Sequence, residues 1–184
     1  NAIEIANSSA NVTINNLAGG AIGSGVTGFT GIKMYDNWRI TANLGSIATP
    51  ITANLERNDT TNAGLIGSAM TVSSGVWTFP QTGIYMIGFH PQFALNNSAQ
   101  YIGFAIKGVI DGSTTLLSKS YGYVNRTNTS TTYGSVNVFA TFDVTDTSTH
   151  KVRFDFHAGS GLDILGDTND NFTTICFIRL GDSQ

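Results

Sequence analysis

The sequence predicts an all-β sandwich or barrel. Three observations carry that expectation. Charged residues make up only 11% of the 184 residues, while Thr, Ser, Asn and 21 glycines fill the stretches between apolar runs. Those runs are short and several alternate with period two. Turn residues separate them at close intervals, as in sandwiches and barrels. Thr, Ser, Asn and Gly suit strands and turns better than helix interiors, so an Ala/Glu/Lys/Leu-rich helical bundle is excluded. A chain of this length hides about 70% of its unfolded surface on folding, enough for one domain with its own core.

Residues 1–31 are glycine-rich and carry one charged side chain, Glu4. They hold too little apolar area for a core. They read either as a linker or as an extended arm whose Ile3, Ile5, Val12 and Ile14 find cover on another chain. No Gly-X-Y period occurs here, so these residues are not a collagen stalk. The globular domain is expected over residues 32–184. Its strands are expected at about 32–43, 50–56, 68–72, 75–79, 83–94, 100–110, 114–123, 133–144, 149–157 and 172–180, each boundary good to about two to four residues. Turns fall at Asn58-Asp59, Asn96-Asn97-Ser98, Asp111-Gly112, Asn125-Arg126-Thr127-Asn128 and Asn169-Asp170-Asn171, and no segment has the pattern of an amphipathic helix.

The strand faces differ in kind. Over 151–157, Val152, Phe154 and Phe156 alternate with Lys151, Arg153, Asp155 and His157, the pattern of a sheet with one wet face. Over 83–90, Ile84 and Met86 alternate with Tyr85, Ile87 and Phe89, so both faces are apolar. Over 172–180, Ile175 and Phe177 likewise oppose Cys176, Ile178 and Leu180. Over 136–142, Val136, Val138, Ala140 and Phe142 share one face, and Phe139 makes the other apolar. A strand apolar on both sides needs a second cover. Without helices, another copy of the chain is the simplest one.

Composition excludes several functions. The net charge of −3, with nine Lys and Arg spread thinly, offers no basic face, so neither nucleic acid nor an anionic membrane surface is an expected partner. No run of residues is apolar enough to span a bilayer as a helix. The start at Asn1, without Met or a signal peptide, reads as a processed product or fragment. The single cysteine, Cys176, makes no internal disulfide and reads as a small hydrophobe.

The segment Trp77-Thr78-Phe79-Pro80-Gln81-Thr82-Gly83-Ile84-Tyr85-Met86-Ile87-Gly88-Phe89 resembles the signature of the tumour necrosis factor/complement C1q-like family: an aromatic, five residues, then Gly-x-Tyr-x-Phe-x-aromatic. Trp77 and Ile87 stand in place of its two phenylalanines. Gly134-Ser135-Val136 is similar to the start of a family core strand. The stretch from Gly166 to Leu180 is similar to its Asn/Asp-rich turn and closing strand. The matches run in order over roughly residues 33–182. The resemblance implies a two-sheet antiparallel jelly roll that forms a homotrimer, with the inner sheet lining the trimer. The interface is expected on the strands that contain Tyr85, Phe89, Phe139, Phe142 and Phe177, with the core face of each strand left open, since alternation forbids Phe139 and Phe142 from sharing a face of one regular strand.

Catalytic patterns are weak. There is no Gly-x-Ser-x-Gly elbow and no His-Glu-x-x-His, and Glu occurs only at positions 4 and 56. His90, His150 and His157 read as surface or interface residues, so no enzyme is expected. Asp163, Asp167 and Asp170 supply hard oxygens that calcium would accept, but they lack EF-hand spacing, and Asp and Asn also make turns. Relatives that bind calcium use an Asp in the loop after the Gly-x-Tyr strand, where this chain has Leu95-Asn96-Asn97-Ser98. The turn reading is preferred and no cofactor is expected; calcium is the alternative. The sequons at Asn7, Asn11, Asn58, Asn96, Asn125, Asn128 and Asn171 follow from composition. Tyr101, Tyr121, Tyr123 and Tyr133 could stack on sugars if exposed, although cross-strand packing is the commoner role.

These features favour a structural or adhesive trimeric head of a bacteriophage or other virion fibre or capsid decoration protein. It would lie at the virion surface or outside the cell. Its expected partners are other virion proteins through the arm and a host-surface glycan or protein receptor. A secreted C1q-like signalling or pattern-recognition ligand, or a bacterial surface-filament tip, is the alternative.

Overall fold

Strands form where the sequence alternates, and they stop where glycine, proline or Asn/Asp turns interrupt it. The computed structural model describes residues 31–45, 48–61, 64–95, 101–123, 131–158 and 162–184. The arm expected over 1–31 therefore lies outside the described residues except for Gly31. The strands are β1 (Tyr35–Ile40), β2 (Leu44–Gly45), β3 (Leu55–Arg57), β4 (Thr71–Ser73), β5 (Val76–Thr78), β6 (Gly83–His90), β7 (Gln92–Leu95), β8 (Ile102–Ile110), β9 (Ser113–Gly122), β10 (Thr132–Ser135), β11 (Val138–Val144), β12 (His150–Ala158), β13 (Leu162–Ile164) and β14 (Thr174–Gly181).

They build an antiparallel jelly roll. One five-stranded sheet, here the inner sheet, has the order β11-β6-β14-β1-β3; the outer sheet has the order β4-β5-β12-β8-β9. A four-stranded sheet, β10-β7-β13-β2, continues the inner one at one end. The expected strand over 83–94 divides at Pro91, which has no N–H for the ladder. Its carbonyl instead accepts the Val136 N–H at 3.1 Å, at the place where the expected strand over 133–144 divides into β10 and β11. β2 and β13 were too short to show a period. The β8–β9 hairpin turns on Asp111 and Gly112, both with positive φ (49° and 77°), as an Asp-Gly turn of this kind requires.

The core lies between the two large sheets and is mainly aromatic. Trp77 from the outer sheet meets Trp38 edge-on at 4.5 Å and Phe177 of the inner sheet at 5.2 Å. Phe89 reaches across to Phe154 at 5.2 Å and Phe104 at 5.6 Å. The signature motif thus has a packing explanation. Trp77, Tyr85, Ile87 and Phe89 all enter one cluster, and the Tyr85 hydroxyl donates to the Gln81 carbonyl at 2.8 Å. Gly83 is required by its φ of 148° and by crowding, since a Cβ there would lie 2.5 Å from both Arg179 Nε and the Gly181 carbonyl oxygen.

An ionic clasp closes the β1/β3 edge. Asp36, fully buried, accepts from Arg57 Nε at 2.9 Å and from the Met70 N–H at 2.8 Å, while Arg57 donates to the Met70 carbonyl at 2.7 Å and lies over the Trp38 ring. Charged and polar bonds satisfy the carboxylate that packing has removed from water. The face of β12 expected to be wet is not wet throughout. Asp155 is completely buried, held by Lys107 at 2.6 Å and Arg153 at 3.1 Å.

Truncation of Trp77 to Ala should cost about 3–5 kcal/mol, the usual range for a buried large aromatic. Tyr85→Phe, which removes only a hydrogen bond, should cost about 1 kcal/mol. Urea unfolding of the two variants checks this; equal losses would show that the motif is not held by its core packing.

Candidate functional site

The inner sheet has a second face. Register fixes its rows: Phe139, Gly88, Cys176 and Asn37 lie side by side, and the next row is Thr141, Met86, Ile178 and Tyr35. Alternation turns these residues away from the core, and the centre of this outward face is apolar. Phe139 is 51% exposed, and Ile84, Met86, Cys176 and Ile178 are half-buried.

The face is tightly built around Gly88. A Cβ there would lie 2.7 Å from Cys176 Sγ, 2.7 Å from His90 Nε2 and 3.3 Å from Phe139 Cε1. The His90 ring stands edge-on to Phe139 at 4.9 Å, and its Nδ1 is 3.0 Å from Asn137 Oδ1. Burial pushes the Cys176 thiol above its ordinary pKa, so it is held as the unreactive thiol. One end of the face is closed by Arg39, 3% exposed, which is paired with Glu56 at 2.7 Å and with Asp59.

This geometry divides the expected interface set. Tyr85, Phe89, Phe142 and Phe177 point into the sandwich and are buried within the single chain. They pack into the chain's own core, opposite the outer sheet. Phe139 alone of the five points outward. The residues that sequence reasoning did not select are Met86 and Ile178, although the same alternation could have found them once Tyr85 was placed in the core.

The other candidate residues do not converge. His150 packs near Phe142 with ring centroids 5.7 Å apart, and His157 is at the opposite end of β12. Asp163 is in β13, whereas Asp167 Oδ1 accepts the N–H groups of Asn169 at 2.6 Å and Asp170 at 3.1 Å. Those bonds hold the Asp167 carboxyl below its ordinary pKa and make it a turn former. Among the described residues, no three of His, Cys, Asp and Glu gather into a set that could hold a metal ion. Asn58 is buried and its Oδ1 accepts the Thr60 N–H at 2.9 Å, which leaves that sequon unsuited to carry a glycan. Tyr101, Tyr121, Tyr123 and Tyr133 are all exposed. Tyr101 meets Tyr121 edge-on at 5.8 Å, with Lys119 over the Tyr121 ring.

No family model matches the sequence, and no curated protein is similar to it at a significant level. Solved structures are similar in fold. Murine APRIL superposes with a TM-score of 0.57 at 12% identity, covering 80% of this chain and 98% of that one. Eiger TNF from S. frugiperda gives a TM-score of 0.57 at 11% identity, covering 83% of this chain and 96% of that one. The chain is an all-β domain with a TNF-like jelly-roll fold.

The thiol chemistry gives a direct check. At pH 8.5, iodoacetamide should modify Cys176 in the native protein at least about tenfold more slowly than in urea, because only the thiolate reacts. Equal rates, followed by mass spectrometry, would show that the thiol is neither covered nor shifted.

Proposed function

We propose that the chain is a homotrimeric, non-catalytic head that displays a binding surface on a virion, as part of a fibre or a capsid decoration protein. The single observation that carries the trimer is the apolar outward face of the inner sheet, next to a core already filled by the chain's own aromatics. Covering Met86, Ile178 and Phe139 removes apolar area from water at roughly 25 cal/mol per Å². The TNF-like fold supports the same assembly.

The low charge, the Thr/Ser/Asn-rich composition and the absence of a cysteine framework support a virion or cell-surface structural protein over a secreted ligand. Residues 1–31 would attach the head to its parent particle, leaving the domain to face outward toward a host-surface glycan or protein. The catalytic patterns missing from the sequence support a role in binding. The likeness to Eiger TNF favours the alternative of a secreted signalling ligand, which would need no particle.

Sedimentation velocity of the unmodified protein should give a trimer, and Met86→Lys or Ile178→Lys should give monomer or aggregate, because an ammonium left in an apolar interface costs several kcal/mol. A well-folded monomer for the unmodified chain would overturn the trimer. Deletion of residues 1–31 should leave a folded trimer that no longer joins the particle; normal incorporation would overturn the role of the arm.

A further inference from the structure

At the end of the domain built by the small sheet, a cavity of about 730 Å³ opens between β10 and the loops after β1 and β13. Its volume lies within the range of small-molecule sites. Two aromatics lie on it, Tyr133 at 68% and Phe172 at 37% exposure, in a protein whose other phenylalanines are mostly core. The polar lining residues are Thr41, Asn43, Gln92 and Asp167.

The cavity wall is fixed by backbone bonds. Leu165 N–H donates to the Gln92 carbonyl at 2.9 Å, Gly166 N–H to Asn43 Oδ1 at 3.0 Å, and Asp167 N–H to the Ile40 carbonyl at 3.0 Å. A Cβ on Gly166 would lie 2.6 Å from the Ala42 carbonyl oxygen, so only glycine lets this chain lie so closely on β1's exit. The Asp167 carboxylate is pinned by its own turn. The Asp167 acceptor is therefore in place before any ligand arrives, which lowers the ordering cost of binding.

We infer that this cavity binds a neutral saccharide, with the sugar's C–H face against Tyr133 and Phe172 and its hydroxyls donating to Asp167 and exchanging hydrogen bonds with Asn43 and Gln92. The chemistry selects this class. Among the described residues no Lys, Arg or His lines the cavity, and the Asp167 charge repels carboxylates, sulfates and phosphates. Polarised sugar C–H groups suit the negative face of an aromatic ring. One carboxylate also provides binding without glycoside hydrolysis, which needs a pair. The inference rests on the proposed binding role and names its ligand class.

Saturation-transfer NMR and calorimetry on the full chain test it, with free trisaccharides ending in galactose, mannose or N-acetylglucosamine, and 3′-sialyllactose as the anionic probe. At least one neutral trisaccharide should bind, and the sialylated one should bind more weakly. Tyr133→Ala should weaken binding about tenfold. Asp167→Asn, which keeps the oxygen that the turn uses, should weaken it several-fold with little change in thermal unfolding. The site is overturned if no neutral trisaccharide binds, if neither variant weakens binding, or if the sialylated probe binds best. Sedimentation of the same sample separates the two levels. A trimer that binds no saccharide rejects this site and leaves the trimeric head standing, whereas a monomer that binds one does the reverse.

Discussion

Each strand of the inner sheet must send alternate side chains to opposite faces, and this constraint governs the rest of the molecule. Once Tyr85, Ile87, Phe89, Ile175 and Phe177 are committed to the aromatic core, Ile84, Met86, Cys176 and Ile178 have no way to join it. A sheet whose outer rows were polar would end there, as a wet surface. Here the outer rows are apolar at the centre, so the packing of one chain leaves a second apolar face that the chain does not cover itself.

Polar groups close what the aromatics leave open. Asp36 joins Arg57 and the backbone of Met70, tying the inner-sheet edge to the strand that begins the outer sheet. Arg39 emerges on the outward face and is buried under Glu56 and Asp59, while Asn171 donates to Thr60 at 3.3 Å and joins the closing loop to the same cover. These clasps use few charges, in keeping with a chain only 11% charged. Each clasp holds one buried charge, Asp36 or Arg39, against a partly exposed partner, and removing the partner leaves the buried charge uncompensated. They fix the edges rather than drive folding.

Much of the fold was legible because period-two alternation and turn chemistry are local signals. The Asp111-Gly112 hairpin, β8, β9 and β12 lie close to their expected places, and β10 and β11 share the span expected for one strand. β2 and β13 were not legible, since pairings of two and three residues have no period. The site was harder. Tyr85 and Met86 are adjacent and both apolar, so sequence alone says that two faces are apolar without saying which one the chain covers itself. The Trp77 and Trp38 partners decide that, and they come from distant strands. The end cavity was invisible for the same reason, as Tyr133, Asp167 and Asn43 meet only when the small sheet has formed.

The methionines offer the most direct measurement of whether the outward face is covered. Met34 and Met70 are fully buried in the core, whereas Met86 lies on the outward face of the inner sheet. Peptide mass spectrometry after mild peroxide treatment of the native protein compares all three in one sample. If the face is buried between copies of the chain, Met86 oxidises as slowly as Met34 and Met70. Oxidation of Met86 at the rate of a free methionine, with Met34 and Met70 still protected, would contradict it.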